Sequence, residues 1–340
     1  MESIVDVARE RMKGYCRVCP VCDGRACAGE VPGMGGIGTG SAFNANLHAL
    51  EAVRLNMRLL HDVAEPDTRM ELLGLPLELP LLAAPIGGVS FNMGGQVTEE
   101  DYIAAIIGGC ADAGILGCVG DGVPDFIHQA GYAAIQETGG KGVAFIKPWE
   151  AAEFFQKLDR ALDAGVPIVG MDIDAAGLIT LKKMGRPVSP KTSQQLAELI
   201  ARIDAKFILK GVMTAADALL AVEAGADAIV VSNHGGRVLD HTPGAAEVLP
   251  EIADAVNGRV AVLADGGIRS GGDVLKMLAL GADAVMIGRP FSIAAVGGLR
   301  EGVANYIKKI SEELRAAMVL TGTASAAAVD RGIVRIKSLR

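Results

Sequence analysis

Aromatic residues are scarce in this 340-residue chain: they make up 4% of it, and Trp149 is the only tryptophan. Basic residues are in the minority too, with 32 Lys and Arg against 40 Asp and Glu and a net charge of -8. A general nucleic-acid surface or an anionic-membrane surface needs a basic patch, so both are disfavoured as partners. The chain opens Met1-Glu2-Ser3-Ile4-Val5-Asp6, with no basic stretch leading into an apolar run, so no signal peptide is expected. Long apolar runs are missing as well. The longest uncharged stretch, Leu79 to Val97, is broken by Pro80, Pro85 and four glycines, unlike a membrane helix. A cytoplasmic protein is therefore expected. What the chain does have is apolar mass: half its residues are hydrophobic, which excludes a disordered chain. Its 44 glycines, with so few aromatics, fit an α/β enzyme with tight loops around a ligand.

An internal repeat carries the architecture. DALLAVEAGADAIVVS (Asp217 to Ser232) and DVLKMLALGADAVMIG (Asp273 to Gly288) each read as a helix, a terminating glycine and a short apolar run. Such a run is a buried parallel strand. Weaker echoes lie at Ala111–Val119 and Ala161–Met171. Eight strands are expected: Leu79–Ala84, Ile115–Val119, Gly142–Ile146, Ile168–Ile173, Phe207–Leu209, Ala228–Val231, Val260–Leu263 and Ala284–Ile287. Helices are expected between them, at Glu99–Ala113, Glu150–Ala164, Ser193–Ala205 and Ala245–Val256, with a closing helix at Ala304–Leu320. Eight βα units fit an α/β TIM (β/α)8 barrel. A doubly wound sheet is the competitor, but no early G-x-G-x-x-G follows the first strand. Residues 66–340 form the barrel in this reading. Residues 1–65 form an N-terminal segment with a short charged helix, a Cys/Gly-rich loop and a helical stretch near Asn44–Val63. The run Gly33–Gly40 is too glycine-rich for regular structure.

Chemistry in such barrels gathers at the C-terminal ends of the strands. Strand one ends in Pro85-Ile86-Gly87, strand four in Asp172-Ile173-Asp174 and strand five in Lys210. Strand six runs into Ser232-Asn233-His234-Gly235-Gly236-Arg237, strand seven into Asp265-Gly266-Gly267-Ile268-Arg269, and strand eight into Gly288-Arg289-Pro290. One His, one Lys, three Arg and several Asp converge on one rim. After strands seven and eight, Gly266, Gly267 and Gly288 let backbone N–H groups approach an anion, and Arg269 and Arg289 add charge. That is the usual phosphate position of the fold, so a phosphorylated ligand is expected.

The segment SNHGGRVLD, with the DGGIR and GRP turns, resembles the FMN-dependent 2-hydroxy-acid oxidases and dehydrogenases. The resemblance is dense from about Phe207 to Phe291 and traceable from Arg69 to Lys210. It implies FMN as cofactor, oxidation of a lactate- or glycolate-like 2-hydroxy acid to the 2-oxo acid, and an electron acceptor that sequence does not name. It also implies a homo-oligomer, a tetramer. By the same resemblance His234 is the base, Asp174 orients it and Arg237 grips the substrate carboxylate. Pro85, Gly87, Lys210 and Ser232 lie at the flavin, and Asp265, Gly266, Gly267, Arg269, Gly288 and Arg289 hold the ribityl phosphate. The roles suit the chemistry: histidine handles protons near neutrality, a carboxylate fixes its tautomer, and a guanidinium forks onto a carboxylate.

The chain also departs from the family. Its usual N-terminal tyrosine region is replaced by the Cys/Gly-rich segment. Strand three ends in Lys147-Pro148-Trp149 where the family has a tyrosine. A second carboxylate-binding arginine falls near Leu181, and only Lys182, Lys183 or Arg186 could substitute. Lys147 faces either the flavin and substrate or solvent. Two rivals follow: a type 2 isopentenyl diphosphate isomerase-like flavoenzyme, disfavoured by the presence of both His234 and Arg237, and a catalytically degenerate flavin-binding protein. Cys16, Cys19, Cys22 and Cys27 form C-x2-C-x2-C-x4-C, which can wrap Zn²⁺ or an iron–sulfur cluster; local disulfides or free thiols are the alternatives. Cys110 and Cys118 are expected in the core.

Overall fold

The computed structural model describes residues 3–178, 181, 184–186 and 188–336. Eight parallel strands close into one barrel: β1 (Leu81–Ile86), β2 (Leu116–Val119), β3 (Gly142–Ile146), β4 (Ile168–Asp172), β5 (Lys206–Val212), β6 (Ala228–Val231), β7 (Ala261–Ala264) and β8 (Ala284–Ile287). Each pairs with its sequence neighbours, and β8 pairs with β1. This is the expected TIM barrel: β3, β6 and β8 have the expected bounds, and the ends of the other strands shift by no more than three residues. The first strand starts at Leu81 and runs through Pro85, and its register with β2 slips between Ala83 and Ile86. A proline has no N–H for the ladder, so the strand loosens there, at the mouth.

The strands are buried on both faces, which is why they read as unbroken apolar runs. Inside the barrel Leu82, Leu116, Val143, Phe145, Ile208 and Met286 pack together. The Phe145 ring lies against Gly170 of β4, where a side chain would collide with it. A hairpin (Met70–Leu72 with Leu75–Leu77) closes the bottom, inserting Leu72 and Leu77 into this core. Each such leucine contributes about 1.5–3 kcal/mol by leaving water. Cys118 sits in the barrel core, and Cys110 in the layer between strands and helices.

Among the described residues the helices of eight or more residues are α1 (Ile4–Arg11), α2 (Ser41–Ala52), α3 (Glu99–Asp112), α4 (Asp125–Glu137), α5 (Ala151–Asp163), α6 (Ser193–Ile200), α7 (Ala215–Glu223), α8 (Ala245–Val256), α9 (Gly271–Ala279) and α10 (Arg289–Thr321). In the repeat, α7 and α9 are followed by Gly225 and Gly281 at φ 96° and 110°, the left-handed backbone that ends a helix cheaply only with glycine.

Three expectations are corrected. The helix expected at Ser193–Ala205 ends at Ile200, and the chain turns before β5. The stretch near Asn44–Val63 is helical only to Ala52; Val53–Leu55 then pairs antiparallel with Val334–Ile336 and ties the N-terminal segment to the chain's end. The closing helix starts earlier, at Arg289, and kinks at Leu299, whose φ of 48° breaks the helix. The Gly33–Gly40 run has no regular structure, as expected, and crosses the barrel mouth: Ile37 N donates to Gly236 O at 2.9 Å.

Candidate active site

Strand β5 delivers Lys210 into the barrel mouth, where it is 3% exposed. Its Nζ donates to Ser232 Oγ at 2.9 Å and lies 3.4 Å from Asp265 Oδ2 and 3.8 Å from Asp172 Oδ1. Burial alone would discharge this ammonium, but Asp265, Asp174 and Asp172 outweigh it and hold the Lys210 pKa above its ordinary value. Ser232 Oγ in turn donates to Asp265 Oδ2 at 2.8 Å and accepts from His234 N at 3.1 Å.

After Ser232 the chain turns sharply. His234, Gly235 and Gly236 all have positive φ, 57°, 63° and 79°. For a histidine that conformation costs about 1–3 kcal/mol, and the surroundings must impose it. Asn233 does so from a buried position. Its Oδ1 accepts from Asn46 Nδ2 and Gly236 N, and its Nδ2 faces Ala42 O, Thr242 Oγ1 and Pro243 O. The turn aims His234 at Asp174, just beyond β4. Nδ1 of His234 donates to Asp174 Oδ1 at 3.0 Å, and Nε2 has no hydrogen-bond partner among the described residues. Burial would raise the Asp174 pKa, yet it is lowered, because His234, Lys210 and Lys147 stand close by.

Arg237 donates through Nε and Nη2 to Pro32 O at 3.2 and 2.8 Å, which leaves its Nη1 end free of protein partners among the described residues. Arg289 donates through Nη2 to Gly235 O at 2.9 Å, and its guanidinium stacks 4.8 Å over Phe43. Burial and the neighbouring charges of Arg237 and Arg269 push the Arg289 pKa down to about 10, so it stays charged at neutral pH. The buried Nε atoms of Arg269 and Arg289 and the buried Asp265 Oδ1 have no hydrogen-bond partner. Unpaired buried polar groups are costly, and these three line the cavity, where a ligand atom can complete each of them. The two guanidinium donors suit an anion with several oxygens, and the carboxylate oxygen suits a hydroxyl. The first turns of α9, with its Ser270–Asp273 capping box, and of α10 begin at these arginines.

The cavity over these groups is lined by Pro85, Lys210, His234, Arg237, Asp265, Gly266, Gly267, Arg269, Gly288 and Arg289, all expected from sequence. It is also lined by Met34, Asn92 and Met93, which sequence reasoning missed. Three expected residues do not line it, and one of them, Asp174, lies behind His234. Ser232 lies beneath, binding Lys210 and Asp265, and Gly87 packs on Gly120 and Ile127. A side chain at Gly266 or Gly267 would strike Asn46, so these glycines also admit α2 against the mouth.

A family model described as FMN-dependent dehydrogenase matches residues 33–187 and 180–336. The chain belongs to this family. The 4-hydroxymandelate oxidase of Amycolatopsis orientalis is 32% identical over 90% of this chain and 95% of its own length. The L-lactate oxidase of a Nostoc species is 30% identical, over 89% and 92%. Among solved structures, a mandelate oxidase variant carrying a C4a-OH-FMN adduct superposes with a TM-score of 0.77 at 31% identity, covering 96% of this chain and 97% of that one. These are oxidases, not isomerases. The unpaired guanidinium and carboxylate groups match a ribityl monophosphate, so the residues present fit FMN.

This FMN-dependent dehydrogenase differs from a simple charged cup on its β2–β4 side. Asp121, after β2, accepts from Lys157 Nζ and Trp149 Nε1 at 2.5 Å each and from the Lys147 and Gly122 amides at 3.1 and 2.7 Å. Trp149 is thus fully buried away from the cavity. Arg186, one candidate for the second carboxylate-binding cation, pairs instead with Glu153 at 2.6 Å. Lys182 and Lys183 lie outside the described residues. Lys147 is the cation near Asp174 on this side. The six cysteines are free thiols in this structure, and Cys22 Sγ lies 4.0 Å from Arg269 Nη2.

Proposed function

We propose that this FMN-dependent dehydrogenase oxidises a small, lactate- or glycolate-like 2-hydroxy acid to the 2-oxo acid. The observation that carries the reading is the His234–Asp174 pair standing beside Arg237 at the mouth, above the buried Lys210. FMN bound there supplies the two-electron acceptor. His234 takes a substrate proton through Nε2, while Asp174 holds its Nδ1–H and favours the imidazolium that forms. The free end of Arg237 binds the carboxylate, with Lys147 as the second cation in place of the family's arginine. Lys210 presents fixed positive charge to the reduced flavin ring. Arg269, Arg289 and Gly288 hold the phosphate, and Asp265 a ribityl hydroxyl. Met34 and Met93 supply the apolar wall where the family's tyrosines are absent.

Residues 1–65 act, in this reading, as the cover of the mouth, keeping water from the reacting atoms. A homo-tetramer in the cytoplasm completes it. Among the described residues no helix is long and apolar enough to cross a membrane. Anaerobic titration of the yellow protein with lactate, glycolate and mandelate tests the reading: one of them should bleach the flavin. If none does while dithionite bleaches it, the degenerate-site alternative holds.

A further inference from the structure

The four N-terminal cysteines serve no role in the site so far described, yet the chain folds around them. Cys16, Cys19, Cys22 and Cys27 share one loop between α1 and the Gly33–Gly40 run. The thiols lie within electrostatic reach of one another: Cys16 senses Cys22 and Cys19, and Cys27 senses Cys16 and Cys22. Three backbone features hold the loop in shape. Gly24 takes φ 76°, packed on the Phe43 ring, and Gly35 lies so close to Cys27 that a side chain there would strike its carbonyl. Most telling is Val18, between the first two cysteines. It is a buried β-branched residue at φ 45°, a backbone region such residues rarely enter. In that conformation its N–H points at Cys16 Sγ, 3.4 Å away. An N–H···S bond stabilises a thiolate more than a thiol, and such bonds tune the potentials of iron–sulfur centres.

The thiol spacing is wider than a single zinc ion needs. Tetrahedral Zn²⁺ with Zn–S bonds of about 2.3 Å needs all its sulfurs roughly 3.8 Å apart. No three of these four sulfurs lie mutually within 4.8 Å. A cubane cluster spreads its thiolates over four iron corners and so holds them farther apart. The first three cysteines follow the C-x2-C-x2-C run of bacterial clusters, and Cys27, on its own short turn, can close the fourth corner. The charge also fits. A cluster with four thiolates is an anion, and Arg269 Nη2 stands 4.0 Å from Cys22 while Arg289 is in reach of Cys22 and Cys27.

We propose that Cys16, Cys19, Cys22 and Cys27 bind one [4Fe–4S] cluster beside the phosphate end of the cofactor cradle. The position gives it a use, which rests on the substrate reading above. Each 2-hydroxy acid oxidised gives up two electrons and two protons. The protons go to solvent. The electrons would leave singly through the cluster, whose core cycles between its 2+ and 1+ states, to a one-electron carrier protein.

The test uses the full chain, purified without oxygen and reconstituted with ferrous iron and sulfide. We expect about four iron and four acid-labile sulfide per chain and an electron paramagnetic resonance signal on dithionite reduction. Cys19→Ser should lose that signal and most of the iron while keeping its FMN. One zinc per chain, or four freely titratable thiols after reconstitution of the unaltered protein, would overturn the site. That measurement does not depend on how any variant folds. Substrate added anaerobically then tests the use. Bleached flavin with a cluster that stays oxidised overturns the relay. Flavin that no 2-hydroxy acid bleaches, above a dithionite-reducible cluster, overturns the substrate reading and leaves the cluster standing.

Discussion

The two sides of the barrel mouth treat their polar residues in opposite ways. On the β5–β8 side, charges are buried but left partly unmatched: among the described residues, Arg269 Nε, Arg289 Nε, Asp265 Oδ1 and His234 Nε2 have no partner. On the β2–β4 side, Asp121, Lys157 and Trp149 are just as buried, yet their polar atoms satisfy one another. Both sides carry charge at strand ends, so charge at the rim does not by itself mark a binding site. An unmatched atom that lines the cavity does, because a ligand there can complete it; the buried Nδ1 of His128, unpartnered on the β2–β4 side, lines no such cavity. One side lines the cavity with unmatched groups, and the other is held mainly by pairing within the chain.

The comparison breaks most sharply at His234. His234→Ala should lower turnover by about 10²–10⁴-fold, as expected for loss of a general base. The protein should stay yellow, since the phosphate cradle is untouched. Stopped-flow reduction of the flavin by the substrate measures it, and an unchanged rate would move the base elsewhere. On the opposite side Asp121→Ala should strike stability instead. It strands the Lys157 ammonium, whose side chain is 4% exposed, and removing one partner of a buried pair costs about 3–5 kcal/mol. A chemical denaturation midpoint should fall accordingly, and Lys157→Met in the same chain should recover much of the loss. If Asp121→Ala unfolded normally but no longer reduced its flavin, the division between the two sides would be wrong.

Arg237→Lys sharpens the picture within the ligand side. Pro32 O already occupies Nε and Nη2, so a carboxylate bound as proposed would meet the far end of the guanidinium. An ammonium cannot span both the Pro32 carbonyl and a carboxylate. A charged hydrogen bond is worth about 1.5–3 kcal/mol, so kcat/KM should drop by roughly 10–100-fold. Initial rates across substrate concentrations decide it. A substrate without a carboxylate should feel little of the change.

These contrasts also explain what was legible in the sequence. The eight strands could be read because a strand buried on both faces leaves an unbroken apolar run, and the terminal glycines mark each helix end. The rim charges after β4–β8 could be read because strand ends point there by construction. The matched or unmatched state of each group could not be read, because it depends on contacts between distant segments. Asp121 and Trp149 give no sign of pairing with each other. Met34 enters the cavity only because the Gly33–Gly40 run crosses the mouth, and no local pattern announces that path. Helix α2 ends at Ala52 because Val53–Leu55 finds a strand near the chain's end, a partner outside any local window.

The smallest effect is expected at Asp240, which ties the cover to the site. Gly40 precedes α2 and has no side chain to cap it. Asp240, reaching from the loop after His234, supplies the cap from elsewhere in the chain. Its Oδ2 accepts from Thr39 N and Oγ1 at 2.6 and 2.8 Å, and its Oδ1 from Ala42 N at 3.4 Å. A carboxylate at a helix N-terminus also meets the positive end of the helix dipole. The Thr39 amide, then the Thr39 hydroxyl and the His241 and Ala42 amides, pull the Asp240 pKa from 3.8 down to about 2. The folded value lies below the unfolded one, so this contribution is complete above about pH 4 and is lost as the pH falls towards 2. Asp240→Ala should reproduce that loss at neutral pH. Amide hydrogen exchange across residues 33–52 should speed up several-fold, with little change around β2–β4. Asp240→Asn, which keeps an acceptor but not the charge, should fall between the two. Equal exchange in all three proteins would mean that the cover is held by the Ile37 and Asn46 contacts alone.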